Sequence, residues 1–525
     1  MTGSGRAMAR AGLIVTAAYL ASRLLGYVRT AVISTQFGAS PELDAYFAAF
    51  RIPDAIFQLV AAGAIASALI PVLTEMLVAG EESRAWRLVS TVTNLMLVAL
   101  LVLAGAFFLA APLLMPAITP GFDAAQLDQT VRLTRIMLLS PILLALGAVA
   151  TSALNALGRF AVSAVAPILY NLGIIAGAVV LAPTFGVDGL AIGVVAGAAA
   201  NVGIQAAALL AGRFTYHPRL ELGDPAARTV LLLIAPRALG LAAVQITFLV
   251  NNGFASGLGE GAITVYNVAF TMLQIPIGII GVPLSIVLLP AMSHALASGA
   301  RTRFADLSVR SLRLVGFVMV PVTALTIVVS TQAVAILFLQ GRFEPPAAAA
   351  TGELLVVFAV GLAAHAMVAI LAPAFYAGKD TRTPVVAAVV AVAVNVAVAV
   401  ALVGPYGLPG LAAAITAGAW VEALLLLVLL GRRFPEIHLA ALARSLAVVL
   451  PGALAAGLAA LAALTWLDGP GPLAASKLEL AVQLVVAGAA AGGVFLAYAA
   501  LLRLDELHTL RLILGEVARP RRAAP

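Results

Sequence analysis

The chain contains no cysteine and few charged residues. None of its 525 residues is cysteine, so the sequence excludes disulfide bonds, thiolate metal sites and a cysteine nucleophile. Only 10% of the residues are charged, whereas a soluble domain carries about 25%. With 63% hydrophobic residues and a mean hydropathy of +1.10, the sequence predicts a membrane protein.

The net charge of +7 has an explanation in the membrane. Basic residues of membrane proteins collect in the loops on the cytoplasmic side. The basic balance therefore predicts an orientation in the bilayer and does not predict a nucleic-acid partner.

Apolar segments of membrane-spanning length follow one another along the chain. A spanning helix needs about 20 mostly apolar residues, and dividing the sequence at glycines, prolines and charge clusters predicts fourteen. The first is predicted to be a retained helix and not a signal peptide, because it contains Arg23 and Arg29 and no small-residue cleavage site. The predicted spans are 11–36, 45–77, 88–116, 129–157, 160–183, 187–212, 230–257, 262–297, 310–339, 352–377, 383–404, 408–431, 441–466 and 478–502.

The loop charges predict that both termini are cytoplasmic. If the N-terminus is inside, 22 of the 30 lysines and arginines lie on the inner side. This excess of basic residues is the one expected of cytoplasmic loops. The predicted outer loops carry mostly acids: Glu42, Asp44, Asp123, Asp188 and Glu260.

A twofold internal repeat divides the sequence. Residues 68–80 match 287–299, and Gly186, Gly189 and Gly197 match three glycines 221 residues later. This offset corresponds to six helices, an even number, so the two copies are predicted to be parallel, as in many transporters. The predicted domains are a six-helix bundle at 1–222, a second at 223–438, and two further helices with a basic cytoplasmic tail at 439–525.

Charged side chains inside spans are costly, at about 2.5–3.5 kcal/mol each at a helix centre. On helix 1, Ser22 and Arg29 share a face because seven residues complete two turns, and Arg23 lies about 100° round from Ser22. Surplus guanidinium groups in a cavity suit a phosphate or pyrophosphate, which they bind bidentately. The alternative for Arg23 or Arg29 is internal pairing with Asp44.

Helix 2 continues the polar stripe. Asp44, Arg51 and Gln58 are seven residues apart, and Asp54 lies close to the same line. Pro53 predicts a kink. For Arg51 the alternative to ligand binding is an ion pair with Asp54 one turn away.

Other polar groups in the spans allow a functional and a structural interpretation. Asn267, Thr271 and Gln274 form one face of helix 8, where they could bind a sugar or peptide group or bond to other helices. His365 and Glu422 are isolated ionisable residues that could couple to protons or be structural, and Arg237 could snorkel to the interface.

The sequence contains none of the enzyme motifs that would suit such a chain. H-E-x-x-H and G-x-S-x-G do not occur, and Gly378-Lys379 is followed by Asp380, so it is not a phosphate-binding loop. The prediction is a transporter without enzymatic activity, cofactor or bound metal.

Four segments carry a resemblance to a known family. They are SRLLGYVRTAVISTQFGASPELDAYFAAFRIPD (22–54), NALGRFAVSAVAPILYN (155–171), YNVAFTMLQIPIGIIGVPLSIVLLPAMS (266–293) and FYAGKDTRTP (375–384). Over roughly residues 12–435 the chain resembles the MurJ/MviN family of lipid II flippases, within the multidrug/oligosaccharidyl-lipid/polysaccharide exporter superfamily.

The resemblance implies a fold, a cargo and a site. It implies a V-shaped fold of fourteen helices in the bacterial inner membrane. The cargo would be an undecaprenyl-pyrophosphate-linked disaccharide-pentapeptide, moved from the cytoplasmic to the periplasmic leaflet, with membrane lipids and the cell-wall synthesis machinery as candidate partners. Family residues needed for activity map onto Ser22, Arg23, Arg29 and Asp44, with the basic position of helix 2 at Arg51.

Two departures from the family pattern lower the charge of the implied cavity. Gln58 stands where many members have a second arginine on helix 2, with Ala62 at the usual glutamate, and Thr271 stands where many have an arginine on helix 8. The alternatives are therefore an exporter of another polyprenyl-linked glycan and a small-molecule antiporter of the same superfamily. A membrane-embedded glycosyltransferase or a scaffold is a further class, which the short loops disfavour.

Overall fold

The computed structural model is built of helices joined by short turns. It describes the backbone of residues 3–60, 64–212, 214–221 and 223–510, and the side chains of 17–58, 65, 66, 68–212, 214–221, 223–230 and 245–510. These residues contain no strand, which confirms the predicted all-α class. Their contacts divide the chain into two compact units, Met1–Thr264 and Val265–Pro525.

The first unit contains ten α-helices and the first residues of an eleventh. Helices α5 and α6 are separated at Leu138, and a five-residue π-helical segment, Gly177–Leu181, joins α7 to α8. The helices are α1 (Gly3–Phe37), α2 (Pro41–Val60), α3 (Ala64–Val78), α4 (Glu82–Ile118), α5 (Ala124–Met137), α6 (Leu139–Ala156), α7 (Phe160–Ala176), α8 (Ala182–Phe185), α9 (Val187–Ala211) and α10 (Pro225–Ser256).

Proline explains the break between α5 and α6. Pro141 has no N–H, so the carbonyl of Met137, four residues earlier, loses its usual helical donor. The hydroxyl of Ser140 donates to this carbonyl over 2.8 Å instead. The helix direction can therefore change at Leu138 without leaving a buried carbonyl unpaired.

Glycines allow α7 and α9 to approach closely. A Cβ added at Gly173 would lie 2.2 Å from the Cα of Gly197, and one at Gly177 would lie 2.6 Å from the Cα of Gly193. Small residues at such crossings are typical of helix packing in membranes, where backbones meet directly.

We expect Gly173→Ala to destabilise the protein. The added methyl overlaps backbone atoms that cannot move independently, and overpacking of this kind costs about 1–3 kcal/mol or more. Thermal unfolding in detergent should show a lower melting temperature. Gly203→Ala on α9 is the matched control, because a Cβ there would meet no described atom within 4 Å. Equal melting temperatures for the two variants would contradict the close packing.

The segment before α10 is attached to the first turns of α4. The side-chain amide of Asn94 donates to the carbonyls of His217 and Arg219 over 3.1 and 3.0 Å. Arg84 bonds to both carboxylate oxygens of Asp224, at 3.2 and 3.1 Å. The hydrogen bonds from Arg84 hold the pKa of Asp224 below its usual range. The stabilising effect of these two bonds is therefore lost as the pH falls through that lowered pKa.

The second unit continues α11 and contains seven further helices. It also contains a five-residue π-helical segment, Ile277–Gly281, which follows Pro276. The helices are α11 (Ala262–Pro276), α12 (Val282–Ala297), α13 (Arg301–Phe338), α14 (Pro345–Ala359), α15 (Leu362–Ala377), α16 (Arg382–Arg433), α17 (Leu439–Trp466) and α18 (Lys477–Leu501).

The backbone repeats the pattern found in the sequence. Gly186 and Gly407 have nearly the same backbone angles, φ 57° and ψ −142° against φ 58° and ψ −133°. Gly158 and Lys379, also 221 residues apart, both have positive φ, although Lys379 is not glycine. The starts of α5 and α14 and the ends of α6 and α15 lie 221 residues apart as well.

Helical residues occur in every one of the fourteen predicted spans, but the number itself stays a prediction. By length and apolar composition, nine of the described segments could cross a membrane, and ten if the bent pair α14 and α15 is one span. Predicted spans 11 and 12 are the two helical parts of the 52-residue α16, which is kinked at Gly407, where the backbone is not helical. The domain boundary predicted at 222/223 also stays a prediction; by packing, α10 contacts α2, α3 and α4 of the first unit.

Candidate functional site

Asn171 of α7 connects the polar face of α1 to the rest of the first unit. Its side-chain oxygen accepts a hydrogen bond of 3.1 Å from Nη1 of Arg29. Its Nδ2 donates to the carbonyls of Ser22, over 3.4 Å, and Pro167, over 3.0 Å. The side chain is buried, so it holds Arg29 in a fixed direction. Arg29, through its side chain, and Ser22, through its backbone carbonyl, thus contact the same neighbour.

Arg23 makes different contacts. Its Nε donates to the hydroxyl of Tyr19 over 3.2 Å, and its guanidinium carbon lies 5.5 Å from the centre of that ring. Both contacts are within α1. Arg23 and Arg29 therefore have different partners, and the predicted rotation of Arg23 away from the Ser22 face stays a prediction.

A second basic group lies on α2. The guanidinium carbon of Arg51 lies 4.8 Å from the centre of the Phe248 ring on α10. The charge of Asp54 interacts with those of Arg51 and Arg29, and Gln58 forms a side-chain hydrogen bond with it. Asp54 thus has both arginines as electrostatic neighbours, and its predicted ion pair with Arg51 stays a prediction.

This arrangement, which we call the arginine cluster, consists of Arg29, Arg51, Asp54, Gln58 and Asn171. The charges of its two guanidinium groups both interact with that of Asp54, so with all three ionised it carries one net positive charge. Positively charged guanidinium groups held by amide and carboxylate oxygens are suited to a phosphate or pyrophosphate. Such charges within spans suggest a functional site.

Asp44 is placed differently from the expectation. Its side chain is only 1% exposed, and Oδ1 accepts hydrogen bonds of 2.7 Å from both the backbone N–H and the hydroxyl of Thr264. Thr264 lies in the first turn of α11, where backbone N–H groups lack helical partners. The geometry supports a positioning role for Asp44, and its predicted contact with a ligand stays a prediction. Within the described residues, no ion pair joins Asp44 to Arg23 or Arg29.

The predicted polar face of helix 8 lies on α11. Asn267 is buried, and the hydroxyl of Thr271 donates back to the carbonyl of Asn267 over 2.8 Å. Gln274 follows one turn later and is half-buried. The three residues share one face, as their spacing predicts, and their proposed contact with a ligand is untested.

The remaining ionisable residues of the spans are scattered. Glu422 on α16 interacts electrostatically with Tyr376 of α15, whereas the side chain of Arg237 lies outside the described residues. Across the part of the chain that the structure describes, no group of three or more His, Asp or Glu side chains could hold a metal ion.

Asn171 and Thr264 were not among the residues predicted from the sequence. Asn171 ends the segment 155–171 that carried the family resemblance and is a lone amide in an apolar helix. That polarity was the available signal, but its partner depends on how α1 packs against α7.

Known proteins similar to this chain share its length and fold. A family model described as "Lipid II flippase MurJ" matches residues 33–470. A "probable lipid II flippase MurJ" of Rhizobium tropici is 32% identical over 453 residues, which are 83% of this chain and 84% of that protein. A "lipid II flippase MurJ" of Burkholderia cenocepacia is 30% identical over 432 residues, with coverage of 81% and 84%.

Solved structures agree on the fold. The structure titled "Lipid II flippase MurJ, inward closed conformation" has a TM-score of 0.78 at 22% identity and covers 94% of this chain and 99% of its own. An inward-facing MATE-family multidrug resistance transporter of the MOP superfamily has a TM-score of 0.69 at 16% identity, with coverage of 81% and 98%. The family model and the relatives confirm the resemblance found in the four sequence segments: the chain is a multi-pass membrane protein that belongs to the lipid II flippase MurJ family.

Proposed function

We propose that this protein flips lipid II, an undecaprenyl-pyrophosphate-linked disaccharide-pentapeptide, from the cytoplasmic to the outer leaflet of the inner membrane by alternating access. Its membership of the lipid II flippase family is the observation that carries the proposal. The arginine cluster supports it, because an anionic pyrophosphate needs positive charge to enter a low-dielectric region.

The residues of the first unit would bind the anionic part of the cargo. Arg29 and Arg51 would bind the pyrophosphate bidentately, since a guanidinium presents two parallel N–H donors. Asn171 and Asp54 orient the two arginines, and Ser22, Arg23 and Gln58 would line the path of the head group. Transport makes and breaks no covalent bond, so we assign no catalytic residue and no cofactor.

Uncharged groups would bind the rest of the head group. The amides of Asn267 and Gln274 and the hydroxyl of Thr271 can donate and accept hydrogen bonds, as a sugar or peptide requires. The enzymes that use the flipped precursor in cell-wall synthesis are the partners that this function implies.

We further propose that both termini are cytoplasmic. The basis is the excess of basic residues in loops on the same side. A reporter enzyme that is active only outside the membrane should be inactive when fused to the C-terminus and active when inserted near Glu42. Activity at the C-terminus would contradict this orientation.

Depletion of the protein tests the transported molecule. We expect lipid II to accumulate in the inner leaflet, inaccessible to reagents added outside, and wild-type protein supplied from a plasmid to reverse this. Accumulation of another polyprenyl-linked glycan would identify the alternative exporter function. If no polyprenyl-linked intermediate accumulates, the flippase proposal is wrong and a small-molecule antiporter becomes the better hypothesis.

A further inference from the structure

A surface cavity on the first unit lies apart from the arginine cluster. Its volume is about 360 Å³, and it is lined by Phe108, Asp128, Val131, Arg132, Arg135 and Ile136. These residues belong to α4 and α5, in the halves of the two helices that the loop charges predict to face the outer leaflet. The cavity therefore combines two guanidinium groups, one carboxylate and apolar walls.

The position of Arg135 follows from a proline in α4. Pro112 has no N–H, so the carbonyl of Phe108 loses its usual helical donor. The Nε of Arg135 donates to this carbonyl over 3.1 Å, and the guanidinium carbon lies 4.7 Å from the centre of the Phe108 ring. One donor and one face of Arg135 are thus held by α4, which fixes the side chain before any ligand binds.

Arg132 is held in a similar way by Asp188 in the first turn of α9. Its Nε lies 3.1 Å from Oδ2 of Asp188, and its side chain is 51% exposed. In the described contacts both arginines donate through Nε, and none of these hydrogen bonds uses an Nη group. Two prearranged guanidinium groups one turn apart can bind the oxygens of one phosphate.

Helix length places the cavity at the level of lipid head groups. The 33 residues from Ala124 to Ala156, which form α5 and α6 with the break at Leu138, extend at most about 50 Å, against a hydrocarbon core of about 30 Å. About 10 Å, or seven residues, therefore projects at the outer end, so Asp128 and Arg132 lie close to the boundary and Arg135 lies about one turn inside it. On the adjoining surface of α4, Leu109 and Leu113 are 76% and 79% exposed, as is expected of side chains that face acyl chains.

We propose that this cavity binds the head group of a resident outer-leaflet phospholipid whose phosphate is joined to a primary ammonium. The phosphate would contact Arg132 and Arg135, and the ammonium would contact the carboxylate of Asp128, one turn before Arg132. Asp128 and Asp188 balance the charge of the two arginines, so the cavity matches a zwitterionic head group better than an anionic one. The acyl chains would lie along Leu109 and Leu113.

Native mass spectrometry of the full-length protein with defined lipids tests this site. We expect the wild type to retain phosphatidylethanolamine in preference to phosphatidylglycerol, and Arg132→Gln to weaken retention of phosphatidylethanolamine about tenfold through loss of a charge-assisted contact. Asp128→Asn should reverse the preference, because it removes the partner of the ammonium and leaves the cavity positively charged. The matched control is Arg310→Gln, which removes an exposed arginine that pairs with Asp306 on α13.

Two outcomes would overturn the proposal. One is unchanged phosphatidylethanolamine retention in Arg132→Gln, whose described contacts are limited to Asp188, so that misfolding is not expected to obscure the result. The other is an unaltered lipid preference in Asp128→Asn. Thermal unfolding of each variant should be recorded beside the binding data.

Discussion

Arg29→Lys is expected to impair transport of lipid II severely although it preserves the charge. A guanidinium can bind a phosphate with two parallel N–H groups while one Nη still donates to Asn171, and an ammonium cannot reproduce this geometry. Loss of one charge-assisted hydrogen bond costs about 1.5–3 kcal/mol, which corresponds to roughly 10- to 150-fold weaker binding. The measurement is rescue of growth in a strain depleted of the wild-type protein, together with a lipid II accessibility assay.

Asn171→Asp provides a contrast that leaves Arg29 in place. The new carboxylate would lie at the position of an oxygen now 3.1 Å from Nη1 of Arg29 and would neutralise its charge. We expect loss of transport with normal protein abundance.

Arg51→Ala is the folding control, since it leaves Asp54 without one of its two basic neighbours and should lower the amount of folded protein. Normal transport by Arg29→Lys, or disappearance of Arg29→Ala from the membrane, would refute the binding role of Arg29.

Asp44→Ala is expected to lower the free energy of unfolding by roughly 3–6 kcal/mol, because the two hydrogen bonds that Thr264 donates to this carboxylate are lost and each contributes about 1.5–3 kcal/mol. The N–H of Thr264 would also remain buried without its acceptor. Protein abundance and transport should fall together. Thermal unfolding in detergent is the direct measurement.

Thr264→Val separates a positioning role of Asp44 from ligand binding. It removes one of the two hydrogen bonds that Thr264 donates to Asp44 and leaves the arginine cluster unchanged, so we expect at most half of the destabilisation caused by Asp44→Ala. Ser40→Ala, at the start of the same helix, removes only a neutral hydrogen bond of 3.3 Å to the N–H of Leu43 and is the control. A stable Asp44→Ala protein that fails in transport would instead favour a contact between Asp44 and the cargo.

Helix positions could be predicted well from the sequence where apolar runs end at glycine or proline. The spans predicted at 187–212 and 478–502 agree with α9 and α18 to within one residue at each end. The span predicted from residue 88 begins six residues earlier in the structure, because Arg84 and Trp86 continue the helix beyond the apolar run. Hydropathy identifies the part of a helix that suits the membrane, whereas hydrogen bonding determines where the helix ends.

The contacts of the site depend on packing that no single segment encodes. The helical period was sufficient to place Ser22 and Arg29 on one face and Arg23 on another. It could not indicate that Asn171 faces them, since this depends on the register between α1 and α7. Likewise, Asp44 continues the polar stripe of Arg51 and Gln58 in sequence, but the first turn of α11 covers it and binds its carboxylate.

The packing of α10 has a consequence for how the protein is made. By the sequence repeat this helix corresponds to α1, yet its contacts are with α2, α3 and α4 of the first unit. When α9 has been synthesised, about 50 further residues must be added before the first unit is complete at Thr264. At 5–20 residues per second this takes about 3–10 s. During that interval the surfaces of α2 and α3 that later contact α10 are not yet covered by it. A chaperone or the insertion machinery would have to shield these surfaces.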